Sequence, residues 1–209
     1  ANMKTYLDIV NRILQEGVRK ENRTGVDTLA IAGAMFEHDM SKGFPLLTTK
    51  SVPFRLVASE LEFFIKGITD KRWLQERKNF IWNEWCSPAK VPYAHDDETK
   101  QQMAEERDLG PVYGWQWRNF GAEYNSHDNG PIGSGVDQLE RLVKMLKKNP
   151  TDRRMIVSAW NPVDLPKMAL PACHYGFQVT VINDKLNLMW NQRSVDVALG
   201  LPFNIASYG

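Results

Sequence analysis

Two short runs between residues 177 and 190 constrain the fold of this chain more than any other feature. Phe177, Val179 and Val181 alternate with Gln178 and Thr180, and Leu186, Leu188 and Trp190 answer them across a stretch containing Asn183-Asp184. A period of two puts each apolar set on one face of an extended strand, and Asn-Asp tolerates the left-handed backbone of a tight turn. The pattern predicts an antiparallel hairpin. Met155, Val157 and Ala159 alternate in the same way up to Trp160, and Leu29, Ile31, Gly33 and Met35 do so earlier, so further strands are expected there.

Helical spacing governs other segments. Tyr6, Ile9, Val10, Ile13 and Leu14 form one apolar stripe, with Gly17 placed to stop it. Phe54, Val57, Ala58, Leu61, Phe64 and Ile65 form a second, ended by Gly67, and Glu60 lies beside that stripe rather than opposite it. Val136, Leu139, Leu142, Val143 and Leu146 form a third, stopped by Asn149-Pro150. Helices and strands mix without strict βαβ alternation, which points to the α+β class, a mixed twisted sheet packed with helices. Neither a G-x-G-x-x-G nor a P-loop pattern occurs, which argues against a dinucleotide fold or an NTPase. At 209 residues the chain reads as a single domain over 1–209, carrying polar insertions near 88–108 and 122–135. The first insertion is expected to hold a short helix over 99–106, and the second to be a mobile loop.

The formal net charge of +1 offers no overall field to draw in nucleic acid or an anionic membrane, so anion binding must come from placed arginines. With only Cys86 and Cys173 and no secretory or membrane-spanning run, free thiols in a reducing cytoplasm are expected. Cys86 reads as structural.

Cys173 sits in Pro171-Ala172-Cys173-His174, just ahead of the first hairpin strand. A free cysteine is most often a small buried hydrophobe. To act as a nucleophile it needs a partner that favours the thiolate, and His174 is poorly placed, because neighbours in an extended segment point to opposite faces. Arg193 ends the second hairpin strand, and Arg193-Ser194 offers a forked donor plus a hydroxyl suited to a phosphate monoester. Arg153-Arg154 add two guanidiniums at a helix-to-strand junction, and Arg23 lies in a polar turn; each alone reads as solvated surface. Asn204 carries a carbonyl and an amide that could read a base edge. Asp196 and Ser194 flank Val195 and share a side. Burial of Glu60 would raise its pKa toward proton-transfer use. Trp73, Trp82 and Trp85 form either a core cluster or a wall for a flat heterocycle, and Tyr113 either reaches a cavity or fills a corner. No His/Cys cluster has metal-ligand spacing. These residues point to a thiolate acting on a small phosphorylated, heterocyclic substrate, and do not name the reaction.

The motifs Asn22-Arg23-Thr24-Gly25, Gly43-Phe44-Pro45, Thr48-Thr49-Lys50, Ile81-Trp82-Asn83-Glu84-Trp85 and Gly110-Pro111-Val112-Tyr113-Gly114 resemble the thymidylate synthase family. So do Asp152-Arg153-Arg154, Met168-Ala169-Leu170-Pro171-Ala172-Cys173-His174, and the run from Gln192-Arg193-Ser194 through Leu201-Pro202-Phe203-Asn204 to Tyr208. Ala172 and Asn191 depart from the commoner proline and tyrosine. The resemblance implies a thymidylate synthase/dCMP hydroxymethylase-like fold and reductive methylation of dUMP to dTMP, with 5,10-methylenetetrahydrofolate as co-substrate and no metal. Cys173 would add to C6 of the uracil. Glu60 and Tyr113 would handle protons, and Asn204 would bind the uracil edge. Arg23, Gln192, Arg193, Ser194 and Asp196 would contribute to dUMP binding, and Trp82 and Asp196 to folate binding. Arg153 and Arg154 would reach the site of a partner subunit, implying a C2 homodimer. The resemblance further implies a ribose-binding His-x-Tyr and a closing segment beyond Gly209. Rival readings are a pyrimidine-monophosphate hydroxymethylase of the same superfamily, a non-catalytic or RNA-binding fragment, and a Cys-His hydrolase. The absence of RNP or KH patterns makes nucleic acid a secondary partner at most.

Overall fold

A computed structural model describes residues 4–21, 25–46, 53–86 and 95–209. In chain order its elements are α1 (Lys4–Glu16), β1 (Val18–Lys20), β2 (Thr28–Ala30), α2 (Phe54–Ile65), α3 (Lys71–Glu76), α4 (Asp97–Glu105), α5 (Tyr113–Asn119), α6 (Gln138–Lys148), β3 (Ile156–Ser158), β4 (His174–Ile182), β5 (Lys185–Gln192) and α7 (Leu201–Tyr208). Two 3₁₀ turns, Met40–Lys42 and Leu165–Lys167, complete the set among the described residues. The class is α+β, as the periodicities predict. Two compact units form, one from Ala1–Val57 with Val195–Gly209, the other from Ala58–Ser194, and α2 runs through the boundary.

In the first unit α1 buries Tyr6 and Ile9. The chain leaves the helix at Gly17, whose N–H donates to the Ile13 carbonyl at 2.8 Å. A β-carbon there would stand 2.3 Å from that same oxygen, which is why the stop is a glycine. β1 and β2 pair antiparallel, with Val18 opposite Ala30. The strand expected over 29–35 therefore ends at Ala30, and Met35 is 91% exposed. A strand extends only as far as its partner does, and β1 has three residues. The Leu201-Pro202-Phe203-Asn204 stretch is the opening of α7, with proline where a missing N–H costs nothing. Asp196 organises the approach to that helix. Its Oδ1 accepts from the Ala198 and Leu199 amides at 3.0 and 2.9 Å. The Tyr6 hydroxyl donates to the Val197 carbonyl at 2.9 Å.

The second unit holds a three-stranded antiparallel sheet in the order β3-β4-β5. The hairpin has the register its pattern predicts: Phe177 opposite Trp190, Val179 opposite Leu188, Val181 opposite Leu186. Asn183 and Asp184 adopt φ of 52° and 59°, the two left-handed residues of a type I′ turn. On α2 the buried side chains are Val57, Glu60, Phe63 and Phe64, whereas Phe54 and Ile65 are exposed. The buried face is thus rotated from the stripe read in sequence, and Glu60 lies within it.

α5 approaches α2 closely enough that a β-carbon on Gly114 would meet the Phe64 carbonyl oxygen at 2.6 Å. α6 forms where its stripe predicts, opened by an Asp137 cap, but none of its residues is fully buried and Val143 is 48% exposed. Val136 lies outside it, exchanging both backbone hydrogen bonds with Phe120. The segment expected as a mobile loop continues this pairing through Glu123 and Ile132, and buries Ala122 and Tyr124. Its polar composition hid a hydrogen-bonded ladder. α4 starts at Asp97, two residues ahead of the expected helix, because Asp96 accepts from the Thr99 amide at 2.8 Å and caps it.

α3 ends in a reciprocal pair of hydrogen bonds, Asn79 N–H to the Leu74 carbonyl and Lys78 N–H to that of Gln75, with Lys78 at φ 57°. Glycine usually occupies that left-handed position. Lys78→Gly is expected to raise stability by about 1 kcal/mol in urea denaturation, and an unchanged or lowered midpoint would contradict the strain assigned to Lys78.

Candidate active site

The site is assembled outward from the end of α3. Below the Lys78 turn, Asn79 is 1% exposed, its side-chain amide donates to Ser59 Oγ at 2.9 Å, and its Oδ1 accepts from the Ile81 amide at 3.2 Å. One residue thus joins the turn to α2 and sets the direction of the next. Trp82 follows, buried, and its indole N–H donates to Glu60 Oε2 at 2.9 Å. Burial pushes the Glu60 carboxyl up to about 7, with the Trp82 hydrogen bond acting the other way. A carboxyl held there is close to half-protonated at neutral pH, which suits a group that must take up and release a proton in one cycle.

An aromatic cluster surrounds this pair. Phe64 packs on Tyr113 at 4.8 Å between ring centroids, and Tyr113 stacks on His174 at 4.1 Å with the planes 10° apart. Burial holds the His174 imidazole down to about 4, so it is neutral at physiological pH. Tyr113 also touches the Cys173 backbone: its hydroxyl accepts from the Cys173 amide at 2.8 Å.

Cys173 is half-buried, and its sulfur faces the Arg193 guanidinium, with Nη2 at 3.7 Å from Sγ. The contact follows from the hairpin. The pairing ends with His174 opposite Gln192, and the Arg193 amide then donates to the Cys173 carbonyl at 2.9 Å. The side chain returns along the same loop, with Nε on the Ala172 carbonyl at 2.9 Å and Nη2 on that of Pro171 at 3.0 Å. Trp160 lies 5.9 Å below the guanidinium carbon. Ahead of the loop, the side-chain amide of Gln116 donates to Asp164 Oδ2 at 2.8 Å, and that of Asn161 donates to Gln116 Oε1 at 3.2 Å, all three buried. This network fixes the 3₁₀ turn from which the loop departs.

The structure therefore brings together Glu60 with Trp82, and Cys173 with Tyr113 and Arg193. Gln192 faces back along its strand, accepting from Trp190 Nε1 at 2.9 Å, and Ser194 is exposed. Arg153 and Arg154 are exposed between α6 and β3, beside Asn149, Thr151 and Asp152, and do not contact Cys173. Asp196 and Asn204 belong to the first unit, and Arg23 lies outside the described residues. Among the described residues no three His, Cys, Asp or Glu side chains could hold a metal ion, and no helix is long and apolar enough to cross a membrane.

The sequence profile of thymidylate synthase matches residues 4–209. The chain belongs to the thymidylate synthase family. It is also 46% identical over 203 residues to a bifunctional dihydrofolate reductase-thymidylate synthase of Paramecium tetraurelia, an alignment covering 97% of this chain and 43% of that protein. The chain thus spans less than half the length of that relative.

Sequence reasoning missed Asn79, Gln116 and Asp164 as supports of the Trp82 turn and of the loop that leads to Cys173. Asparagine after a helix and glutamine within one are ordinary surface residues, and no local pattern marks them as buried. The assigned burial of Glu60 has a measurable consequence. Its folded pKa, about 7, lies above the unfolded value of 4.5, so the folded state retains a proton that the unfolded chain releases. Stability is therefore unaffected below pH 4.5 and declines as pH rises to about 7, by roughly 3 kcal/mol in all. Glu60→Gln is expected to be more stable than the parent at pH 8 and equal to it near pH 4. Parallel urea curves at both pH values with no change in the difference would refute the burial cost.

Proposed function

We propose that this chain carries the catalytic machinery for reductive methylation of dUMP to dTMP, with 5,10-methylenetetrahydrofolate as co-substrate. One observation supports the reading above all: the Arg193 guanidinium stands 3.7 Å from Cys173 Sγ while anchored on two carbonyls of the nucleophile's own loop. Positive charge is thereby fixed beside the sulfur that must attack as an anion. Cys173 adds through its thiolate to C6 of the uracil, the electron pair moving toward O4 and making C5 nucleophilic. Glu60, balanced between its two protonation states, exchanges the proton at that end of the ring. Tyr113, whose hydroxyl accepts from the Cys173 amide, stands beside that residue and assists removal of the C5 proton. Among the described residues Arg193 Nη1 makes no hydrogen bond, which leaves it, with the exposed Ser194, for the substrate phosphate.

5,10-Methylenetetrahydrofolate would supply the one-carbon unit and the hydride. The aromatic surroundings of Glu60 suit a flat reduced pteridine, although Trp82 is 6% exposed with its N–H on Glu60, so it serves as a wall behind the carboxyl more than as an open platform. Asp196, exposed and already ordered by two backbone amides, is proposed as a pterin acceptor, and Gln192, Asn204 and Arg23 as further dUMP contacts. A homodimer is also proposed. Ile156, Gln178 and Met189 form one cross-strand row, in which Ile156 and Met189 are 57% and 53% exposed. The side-chain amide of Gln178 donates to the Arg153 carbonyl at 3.3 Å, so Arg153 and Arg154 adjoin that row, which supports the proposal that they reach a second copy. The cytoplasm is proposed as the compartment, because Cys173 must remain a free thiol.

Incubation with 5-fluoro-dUMP and methylenetetrahydrofolate is expected to trap a covalent adduct at Cys173, seen by intact mass, and dUMP is expected to yield dihydrofolate. Cys173→Ser should abolish the adduct and lower turnover by at least about 10³-fold. Methylene consumption without dihydrofolate would indicate hydroxymethylation, and no adduct at all would sink the synthase reading.

A further inference from the structure

One face of α3 carries chemistry that the proposed reaction does not use. Lys71 is 1% exposed, yet its ammonium is fully engaged: it donates to the carbonyls of Asn83 at 3.2 Å, Trp85 at 2.8 Å and Met103. Three N–H groups meet three carbonyls, the condition under which a lysine can be buried without an anion in contact. One helical turn on, Gln75 Nε2 donates to Asn83 Oδ1 at 3.0 Å and to the Ala104 carbonyl at 2.8 Å. Residues four apart share a helix face, so both side chains bridge the same two segments.

One segment is the 83–85 turn immediately after Trp82. The other is the last turn of α4, whose carbonyls have no N–H partner within their own helix. α4 is thereby tied to the turn that carries the indole on Glu60. Burial holds the Lys71 ammonium down to about 8, and its titratable neighbours Cys86 and Glu106 act the other way, favouring the charged form. Those of the Glu60 pocket are Tyr113 and His174, in the same ring cluster.

We propose that Lys71 is a positioning residue for the Glu60–Trp82 pair, its ammonium locking the end of α4 to the 83–85 turn and so holding the indole N–H on the carboxylate. The proposal rests on the reading of Glu60 as the proton-handling group, but the placement itself can be tested without turnover. The whole chain, labelled with ¹³C at glutamate Cδ, is titrated by NMR, and Glu60 is assigned by its loss in Glu60→Gln. Trp82→Phe removes the donor directly and is expected to raise the Glu60 midpoint by about one unit, the worth of a hydrogen bond to a charged group. Lys71→Met should raise it in the same direction, and Gln75→Leu by a smaller amount.

If turnover is present, Lys71→Met should lower kcat by roughly ten-fold, a fraction of the 10²–10⁴ that a placed acid–base group supplies, with KM for dUMP little changed. Should Lys71→Met fail to fold, the half-buried Gln75→Leu decides the matter alone. A Glu60 midpoint that moves in Trp82→Phe but in neither α3 variant would reduce Lys71 to a core pin and overturn the proposal. A midpoint unmoved in Trp82→Phe would overturn it as well. Shifted midpoints in a protein that forms no dihydrofolate would remove the synthase reading and leave the positioning role standing.

Discussion

Arg193 is bound to the Cys173 loop twice, by its backbone and by its side chain, and the geometry around Cys173 follows from that double attachment. Its amide continues the β4–β5 pairing one step past Gln192, onto the Cys173 carbonyl. Its guanidinium then folds back over the Pro171 and Ala172 carbonyls to meet the sulfur. A one-residue slip of the hairpin would turn Arg193 to the other face and remove the charge from the thiol. Strand register and the placing of a guanidinium beside the Cys173 sulfur are therefore one constraint.

The second constraint is the burial of a carboxyl. Glu60 sits on the packed face of α2 with one indole N–H as its visible partner, and the resulting shift of its pKa is a stability cost that the fold bears near neutral pH. Polar residues around it reduce that cost through position more than through charge. Asn79 clips the Trp82 turn to Ser59, and Lys71 and Gln75 clip the far side of the same turn to α4. α4 is thereby connected to the Trp82 turn instead of merely decorating the surface.

Parts of this were legible in the chain. The hairpin was, because Asn183 and Asp184 carry their turn preference locally and the apolar alternation on either side agrees with it. The ends of α1, α2 and α6 were, because Gly17, Gly67 and Asn149-Pro150 act on their own backbone. The length of β2 was not, since it depends on a partner only three residues long. Nor was the buried face of α2, which depends on how Gly114 lets α5 close on Phe64. The ladder within 122–135 escaped notice because backbone pairing leaves little trace in a polar sequence.

The same division holds for the site. Cys173, Arg193, Asn204 and Glu60 stand out in sequence as residue types with chemistry to offer, and the motifs around them resemble one family strongly enough to suggest the reaction. Their distances do not, because contacts between residues twenty or sixty positions apart are settled by packing. Only the tertiary structure decided that Tyr113 holds the Cys173 amide, that His174 is a neutral stacking partner, and that Lys71 is buried at all. A lysine reads as solvated in any linear sequence; three carbonyls converging from two distant turns are what make its burial possible.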